Sequence, residues 1–353
     1  MKKNYIFILF TLFSILLNAQ TEDVLNPAGA THTGYFLSGN DLYYTSGNSI
    51  FKIDITASSP SPTTIITGLS EPTGVLLIGG NLYFSQATAN KISRINLSIG
   101  ASSITDIVTG LNEPAFLAYK NNYLYFSELG AGRIAKIYLP SGTPATPTTV
   151  VTGLNTPLDI ELIGNELYIV EVNSNKISKI DITLSNPLVF DVTTGLNKPL
   201  QIAYNGNELF ISEVDANKIS KIDISGSIPT IASDVLTGLS NAEVLASNST
   251  DLYFSSNSST IGNSKIVKLN YNTLSVIKHS NAKETTIYPN PTTDFIFVSN
   301  ANNKNNYTIY NMLGKKILSG NIDKTQGINV KNLAKGVYFI NLNEITSFKF
   351  IKE

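Results

Sequence analysis

An acidic or amide side chain occupies one position of a repeated segment in the second half of this chain. The position lies two residues after a repeated proline, and in the first half of the chain it holds glycine or phenylalanine. In chain order its occupants are Gly34, Gly74, Phe116, Asp159, Gln201 and Glu243. Glu161 adds a carboxylate two residues after Asp159. Carboxylate and amide oxygens bind calcium or polar small molecules, and residues that differ between repeats are the candidates for function.

A second acidic series recurs from repeat to repeat. Glu128, Glu171 and Glu213, with glutamine in an earlier repeat, are each followed five residues later by lysine or arginine. A carboxylate here can accept hydrogen bonds from turn N–H groups while the basic residue pairs with a neighbouring repeat, which is a structural role. The functional alternative is a ring of acids that holds a cation or a sugar. The sequence leaves both interpretations open.

The segments that carry these residues recur every 42 or 43 residues, as the glycines of five Thr-Gly-Leu triplets show: Gly68, Gly110, Gly153, Gly195 and Gly238. Each unit contains short apolar runs that are rich in β-branched and aromatic residues and bounded by Gly, Pro, Asn and Ser, which predicts strands. In the fourth unit we expect strands at Leu158–Ile163, Glu166–Glu171, Lys176–Ile182 and Phe190–Thr194. A period in the forties predicts a propeller or a solenoid.

The second and third strands of each unit carry apolar residues on both faces, so both faces are expected to be buried between neighbouring units. Six four-stranded blades in a closed ring satisfy this requirement and leave only short edges. The connections that enter the first strand and leave the second strand then lie on the same face. We therefore expect Asp159, Gln201 and Glu243 at the mouth of the central channel, with Phe116 on its other side and the glutamate series within reach.

The run NKISKIDI and the later VVTGLNTPLDIELIGNELYIVE resemble six-bladed propellers of the YWTD, NHL and senescence-marker/gluconolactonase kind, over about residues 30–278. The resemblance implies an all-β, six-bladed propeller. Gluconolactonase-like relatives hold a divalent cation with Glu, Asn and Asp around the channel. Here that role would fall to Asp159, Glu161 and Glu243, with calcium or another divalent cation as the cofactor, although the matching asparagines are missing.

Two functions from different classes follow. The propeller is predicted to be a binding or interaction module for a glycan or a protein, and the alternative is a divalent-cation-dependent hydrolase, lactonase or lyase that acts in the channel. A water-filled channel with solvated carboxylates is the structural interpretation of the same residues. With 25 basic and 26 acidic side chains, the balance of charge argues against a nucleic-acid partner. The absence of cysteine excludes disulfide and thiol chemistry.

Residues 1–20 combine Lys2 and Lys3 with a short apolar stretch and a small residue, Ala19, which is typical of a secretory signal peptide. No other stretch of the sequence predicts a membrane span.

The propeller is assigned to residues 21–279. Asp23-Val24-Leu25 repeats the pattern Asp234-Val235-Leu236 of a fourth strand. The N-terminal segment is therefore one candidate to complete the last blade, and Thr273–His279 is the other.

After a polar linker at residues 280–285, short alternating strands are separated by Pro-Asn-Pro, Leu-Gly and Lys-Gly turns, which predicts a small β-sandwich over residues 286–353. This segment resembles the type A C-terminal sorting domain of type IX secretion substrates. The motif residues that carry the resemblance are Tyr288, Pro289, Asn290, Pro291, Gly314, Lys335, Gly336 and Tyr338. It implies a Bacteroidota-type source, the type IX machinery as partner, export through the periplasm to the cell surface or the medium, and removal of the domain there.

Overall fold

The computed structural model describes residues 21–25, 32–100, 103–240, 242–257, 264–271, 287–299, 306–311, 315–322, 327–342 and 346–353. These residues form an all-β structure with a short 3₁₀ turn at Val172–Ser174. The chain divides into two compact units, Met1–Ser275 and Val276–Glu353. None of the helices described has the length and apolar character that crossing a bilayer requires.

Six four-stranded antiparallel sheets, counted over the described residues, build the first unit. In blades 1 to 5 the order of strands in the sheet follows the order in the chain, from an inner strand that lines the central channel to an outer strand. The first strand of the chain is β1 (Thr21–Leu25). Blade 1 contains β2 (His32–Ser38), β3 (Asp41–Ser46), β4 (Ser49–Asp54) and β5 (Thr63–Ile66), and blade 2 contains β6 (Pro72–Ile78), β7 (Asn81–Gln86), β8 (Lys91–Asn96) and β9 (Thr105–Thr109). Blade 3 contains β10 (Pro114–Lys120), β11 (Tyr123–Glu128), β12 (Arg133–Tyr138) and β13 (Thr148–Thr152), and blade 4 contains β14 (Pro157–Ile163), β15 (Glu166–Glu171), β16 (Lys176–Asp181) and β17 (Phe190–Thr194). Blade 5 contains β18 (Pro199–Asn205), β19 (Glu208–Glu213), β20 (Lys218–Asp223) and β21 (Ser233–Thr237), and blade 6 contains β22 (Leu245–Ser247), β23 (Asp251–Asn257) and β24 (Ser264–Asn270).

The hydrophobic core lies between the blades and not within any one of them. Each core cluster of the first unit combines buried side chains of two adjacent blades, and the pairs run from blades 1 and 2 round to blades 5 and 6. A further cluster packs Tyr35 and Tyr44 of blade 1 against Val244 and Tyr253 of blade 6. The blades therefore stand in a closed ring, because both faces of each sheet are covered by its neighbours.

Strand β1 closes the ring. It pairs antiparallel with β24 as the fourth and outer strand of blade 6. Two ion pairs fix it there, Asp23 with Lys265 and Glu22 with Lys268, each at 2.8 Å. Of the two candidates for the last strand, the structure thus selects the N-terminal one; residues 273–279 lie outside the described part of the chain.

The second unit consists of two small sheets. One contains β25 (Ile287–Tyr288), β26 (Phe295–Val298) and β29 (Ile328–Asn329), and the other has the order β28–β27–β30–β31, formed by β27 (Asn306–Asn311), β28 (Lys316–Asn321), β30 (Gly336–Leu342) and β31 (Thr346–Lys352). Their shared core includes Ile296, Ile328, Ile309, Ile340 and Phe350. This is the small β-sandwich that the sequence predicts. The predicted linker at residues 280–285 lies outside the described residues.

Candidate functional site

A β-bulge shapes the inner strand of each of the first five blades. In blade 4 the register shifts between Pro157 and Ile160, and the other four blades shift at the equivalent place. The bulge takes the second residue after the proline out of the regular ladder, so its N–H needs another acceptor. In blade 2 the N–H of Gly74 donates to Ser85 Oγ at 2.9 Å. The residue singled out by its variation between repeats is therefore the bulged residue of the innermost strand.

Glycine at this position allows two inner strands to touch through their backbones. A Cβ atom added to Gly74 would lie 2.5 Å from the carbonyl oxygen of Ala115 and 2.8 Å from Cα of Phe116, on the next blade. A Cβ added to Gly34 would likewise run into the carbonyl oxygen of Thr73. Blades 1, 2 and 3 therefore approach each other more closely at the channel than any side chain would permit.

Asp159 joins blade 4 to blade 5 at the same level. Its Oδ1 accepts a hydrogen bond from the N–H of Ile160 at 2.8 Å, and its Oδ2 accepts one from the N–H of Ile202 at 2.9 Å. The side chain is buried, and loss of hydration raises the pKa of Asp159 to about 7 although the two N–H donors oppose the shift. Both carboxylate oxygens thus have partners within the ring.

Gln201 continues this bridge to the next two blades. Its Oε1 accepts a hydrogen bond from the N–H of Leu245 in blade 6 at 3.0 Å, and its Nε2 donates to the carbonyl oxygen of Thr33 in blade 1 at 2.9 Å. An amide side chain supplies the acceptor and the donor that these two backbone groups require. Gln201 is 3% exposed, so it spans the centre of the ring as a buried connector.

The bulged residues of blades 1 to 5 and the equivalent residue of blade 6 form one buried layer across the channel, which we call the inner layer. Its members are Gly34, Gly74, Phe116, Asp159, Gln201 and Val244. The sequence places these side chains at an open mouth, whereas the structure places them within the packed centre of the ring. The bulge and the contacts between blades cause this difference. As ligand-binding residues, Asp159, Gln201 and Phe116 stay predictions.

The sixth member of this layer is Val244, so the sequence assignment of Glu243 is one residue too early. Leu245 pairs with Phe254 in blade 6 as Ile202 pairs with Ile211 in blade 5. Blade 6 has Ala242 where blades 2 to 5 have the repeated proline, and the available signal was the six-residue spacing from the glycine of Thr-Gly-Leu, here Gly238. Glu243 is half-buried; burial raises its pKa, and the charge of the nearby Lys198 opposes that shift.

The glutamate series that ends β11, β15 and β19 holds loops in place. Glu128, Glu171 and Glu213 are buried, and each Oε2 accepts a backbone N–H at 2.9 to 3.0 Å from the loop that enters its own blade. The donors belong to Asn112, Asn155 and Asn197. The sequence analysis expected the basic residue to pair with a neighbouring blade. Arg133 instead pairs with Glu128 of its own blade at 2.7 Å. These contacts support the structural interpretation, and a cation- or sugar-binding ring stays a prediction.

On one side of the inner layer the channel widens into a cavity of about 310 Å³, lined by the inner strands of all six blades. We call this the channel cavity; it extends toward the hairpins that connect the first and second strands. The ring of residues two positions beyond the inner layer is Phe36, Leu76, Ala118, Glu161, Ala203 and Ala246. Burial, and then the charge of Asp159, raises the pKa of Glu161 to about 8. Glu161 is therefore the one carboxyl in a ring whose other five side chains are apolar.

On the opposite side, blades 1 to 3 enclose a groove of about 750 Å³ between their loops, which we call the loop-face groove. Its polar side chains include Thr33, Asn48, Glu71, Thr73, Thr88 and Glu113. Glu71 and Glu113 have positive φ values of 51° and 52°, and Asn90 Oδ1 accepts the N–H of Glu113 at 3.0 Å. Sequence reasoning missed this groove. The available signal was the residue before the repeated proline, which changes from Glu71 and Glu113 to Thr156 and Lys198 along the chain.

The three carboxylates predicted to hold a cation do not form a common site. Asp159 uses both oxygens on backbone N–H groups, Glu161 faces the channel cavity, and Glu243 occupies the strand position equivalent to Thr33 and Thr73 of the loop-face groove. Throughout the described residues there is no group of three or more His, Asp or Glu side chains that could hold a metal ion. The residues present therefore do not fit the gluconolactonase-like cation site.

In the second unit, the Pro-Asn-Pro motif holds the C-terminal strand. Asn290 Oδ1 accepts the N–H of Ile351 at 3.0 Å, and its Nδ2 donates to the carbonyl oxygen of Lys349 at 2.9 Å. The flanking Pro289 and Pro291 are exposed. A single side-chain amide thus protects two backbone groups on the outer edge of β31, which is an edge strand.

The other motif residues have varied positions. Tyr288 is 53% exposed, whereas Tyr338 is buried and its hydroxyl donates to the carbonyl oxygen of Ala334 at 3.0 Å. Lys335 is exposed and Gly336 begins β30. Gly314 lies outside the described residues.

Solved structures of several proteins resemble the first unit. They include a luciferin-regenerating enzyme (13% identity, TM-score 0.57, covering 71% of this chain and 94% of that chain) and a streptogramin B lyase (19%, 0.52, 71% and 97%). A nidogen/laminin complex also matches (15%, 0.53, 61% and 85%). At these identities the similarity shows the fold alone, and it agrees with the six-bladed propeller that the sheets of the first unit form.

Residues 286–353 match the family described as the secretion system C-terminal sorting domain. The second unit is therefore a type IX secretion sorting domain, and it marks the protein for export to the cell surface or the medium. No curated protein matches the sequence.

Proposed function

We propose that this protein is an exported binding module whose propeller holds a glycan or a segment of another protein in the loop-face groove. In this proposal the signal peptide at residues 1–20 directs the chain to the periplasm, and the sorting domain directs it outward. The observation that carries the binding role is the groove itself, an open concave surface of about 750 Å³.

The chemistry of the groove suits a hydroxyl-rich or cationic ligand. Hydroxyl, amide and carboxylate groups stand on its walls, with apolar contact surface from Ala87, Ala115 and Leu129. The described lining residues include no lysine or arginine, so Glu71 and Glu113 set the sign of its charge. A few directional polar groups around an apolar floor are typical of small-ligand and glycan sites. Asp159, Gln201 and Phe116 line the channel cavity and not this groove, and their part in binding stays a prediction.

A bulky substitution at Thr88 tests the groove. Thr88 is exposed, lies in the loop between β7 and β8 and lines the groove, so Thr88→Arg should block it without disturbing the core. Asn173 occupies the equivalent loop position in blade 4, outside the groove, so Asn173→Arg is the matched control. On glycan and protein arrays we expect the wild type and Asn173→Arg to bind the same ligands and Thr88→Arg to lose them. Equal binding by all three proteins would remove the groove as the site.

The enzymatic alternative has its own test. A divalent cation that acts in the channel should raise the melting temperature of the wild type, and Asp159→Ala or Glu243→Ala should abolish the increase. Because these residues do not come together in the structure, we expect calcium, magnesium and manganese to leave the melting temperature unchanged. A cation-dependent increase that both variants lose would favour a hydrolase, lactonase or lyase.

Export is tested separately. In a host with a type IX system, deletion of Thr286–Glu353 should retain the propeller in the periplasm, while the full chain reaches the outside of the cell. Asn290→Ala is the finer variant, because it leaves the domain in place and removes two hydrogen bonds to the C-terminal strand. Normal export of the deleted protein would contradict the role of the sorting domain.

A further inference from the structure

The channel cavity is a second concave site, separate from the loop-face groove. The inner layer closes it at one end, through the glycine contacts of blades 1 to 3 and the bridges made by Asp159 and Gln201. At the other end Tyr119 is 36% exposed, so the cavity opens on the hairpin side. No described residue lines both the cavity and the groove. A cavity of about 310 Å³ is within the size range of small-molecule sites.

Most side chains of the cavity walls are apolar, although polar atoms make up more than half of the accessible lining, and the ionisable side chains are carboxyl and phenol groups. Phe36 and Leu76 narrow the side of blades 1 and 2, while Ala118, Ala203 and Ala246 leave space on the others. The titratable groups that share the cavity with Glu161 are Asp159, Tyr35, Tyr119 and Tyr204, and Tyr168 lies opposite it on β15. Among the described lining residues there is no lysine, arginine or histidine. The nearby Lys120 is bound to Gly164 and Asn165 of the adjacent blade.

Glu161 stands out because its carboxyl has no hydrogen-bond partner among the residues that the structure describes, whereas Asp159 two residues earlier has two. Glu161 is partly shielded from solvent, and a carboxyl held away from bulk water without a protein partner is costly to ionise. The equivalent residues in the other five blades are apolar, so the fold does not require a carboxyl at this position. The feature that remains unexplained is a single carboxyl in a ring of otherwise apolar side chains.

We propose that the channel cavity binds a small organic molecule that carries a single positive charge, with the charged group against Glu161 and the carbon skeleton against Phe36, Leu76 and the alanines. A cation supplies the missing partner of the carboxylate, and the carbon skeleton fills the remaining space. The sign of the charge follows from the absence of basic side chains among the described lining residues. A charge-assisted hydrogen bond shielded from bulk water gives both affinity and selectivity.

Three probes of similar size test this proposal on the full chain: phenethylamine, the neutral phenethyl alcohol and the anionic phenylacetate. Titration calorimetry at about pH 8.5 keeps the amine protonated and favours the ionised form of Glu161. We expect the amine to bind about tenfold or more tightly than the alcohol, and phenylacetate to bind weakest. Glu161→Gln should reduce the affinity for the amine to that for the alcohol and leave the alcohol unchanged.

Two further variants separate the charge from the cavity. Ala203→Leu should weaken the amine and the alcohol together, because it fills the space that both occupy. Glu166→Gln is the control: this carboxylate lies on β15 of the same blade, pairs with Lys179 at 3.4 Å and does not line the cavity, so amine binding should be retained. Circular dichroism and melting temperature confirm that each variant is folded. Equal affinity of the wild type for amine and alcohol, undiminished amine binding by Glu161→Gln, or no binding of any probe would overturn the proposal. None of these outcomes depends on the loop-face groove, which Thr88→Arg tests.

Discussion

The two halves of the propeller join their inner strands in different ways. In blades 1 to 3, Gly34 and Gly74 let the backbone of one blade touch that of the next. In blades 4 to 6, Asp159 and Gln201 reach across to backbone N–H and carbonyl groups of neighbouring blades. The repeated sequence encodes six similar sheets, and this single bulged position decides how they meet at the centre. A ring can thus close with unequal spacing while its outer strands keep the same pattern.

The same difference separates the two candidate sites. The loop-face groove lies over the half that is joined by backbone contact, where the inner layer contains Gly34 and Gly74. Both carboxyl groups of the channel cavity, Asp159 and Glu161, belong to the half that is joined by side chains. The features that break the repeat symmetry are therefore the ones that create concave surfaces, as expected for a repeat protein.

The largest effect is expected from adding one methyl group to the backbone-contact half. Gly34→Ala and Gly74→Ala should each destabilise the protein by about 2–4 kcal/mol, because the new Cβ overlaps backbone atoms of the next blade that cannot move aside. Urea denaturation measures this. Gly142→Ala is the control, since a Cβ there meets nothing within 4 Å. If Gly74→Ala were as stable as Gly142→Ala, the two halves would not differ in the way described.

The side-chain half is tested at Asp159. Asp159→Ala leaves the N–H groups of Ile160 and Ile202 without their acceptor and should cost about 2–3 kcal/mol, whereas Asp159→Asn keeps one acceptor oxygen and should cost about half as much. Glu161→Gln, on the same strand, should change stability at pH 5 by less than about 0.5 kcal/mol. We expect the urea midpoint to be lowest for Asp159→Ala, intermediate for Asp159→Asn and highest for Glu161→Gln. An Asp159→Ala variant as stable as Glu161→Gln would show that the bridge is dispensable.

The pH dependence of stability distinguishes the halves further. Asp159 and Glu161 have pKa values raised to about 7 and about 8, so the folded protein binds more protons than the unfolded chain between about pH 4 and pH 8. Their contribution is fully present below the ordinary carboxyl pKa and is lost as the pH rises through the folded values. We expect the free energy of unfolding to fall by up to a few kcal/mol between about pH 5 and pH 8.5. The double variant Asp159→Asn, Glu161→Gln should show a flatter profile, and an unchanged slope would contradict the assigned shifts.

The smallest effect is expected where the ring closes. Glu22→Gln and Asp23→Asn each remove one ion pair between β1 and β24, and these pairs are partly exposed. Each substitution should cost less than about 1 kcal/mol, and the cost should decline at high salt. Melting curves at low and high salt measure this. A loss comparable with that of Gly74→Ala would mean that charge, and not strand pairing, holds the last blade closed.

Most of the fold was predictable because it depends on local chemistry. The expected strands of blade 4 agree with β14 to β17 within one residue at each boundary, since alternating apolar residues and turn residues act over a few positions. Asn90, Asn175 and Asn217 have φ values of 50° to 53°, which is the left-handed conformation that asparagine tolerates. Six blades, the strand order and the C-terminal sandwich follow from such patterns and from the repeat period.

The site depended on tertiary structure, because the distance between two inner strands is set by closure of the whole ring. Sequence alone identified the position of Gly34, Asp159 and Gln201 as the variable one, but it did not show that a bulge turns this position into the contact between blades. Our alignment missed Val244 because blade 6 lacks the repeated proline, although the six-residue spacing from Gly238 was the available signal, and the sequence could not choose β1 over the segment 273–279. The local pattern determined which residues form strands, and only the packing of blades around a common axis decided which side chains join the blades and which one, Glu161, was left facing open space.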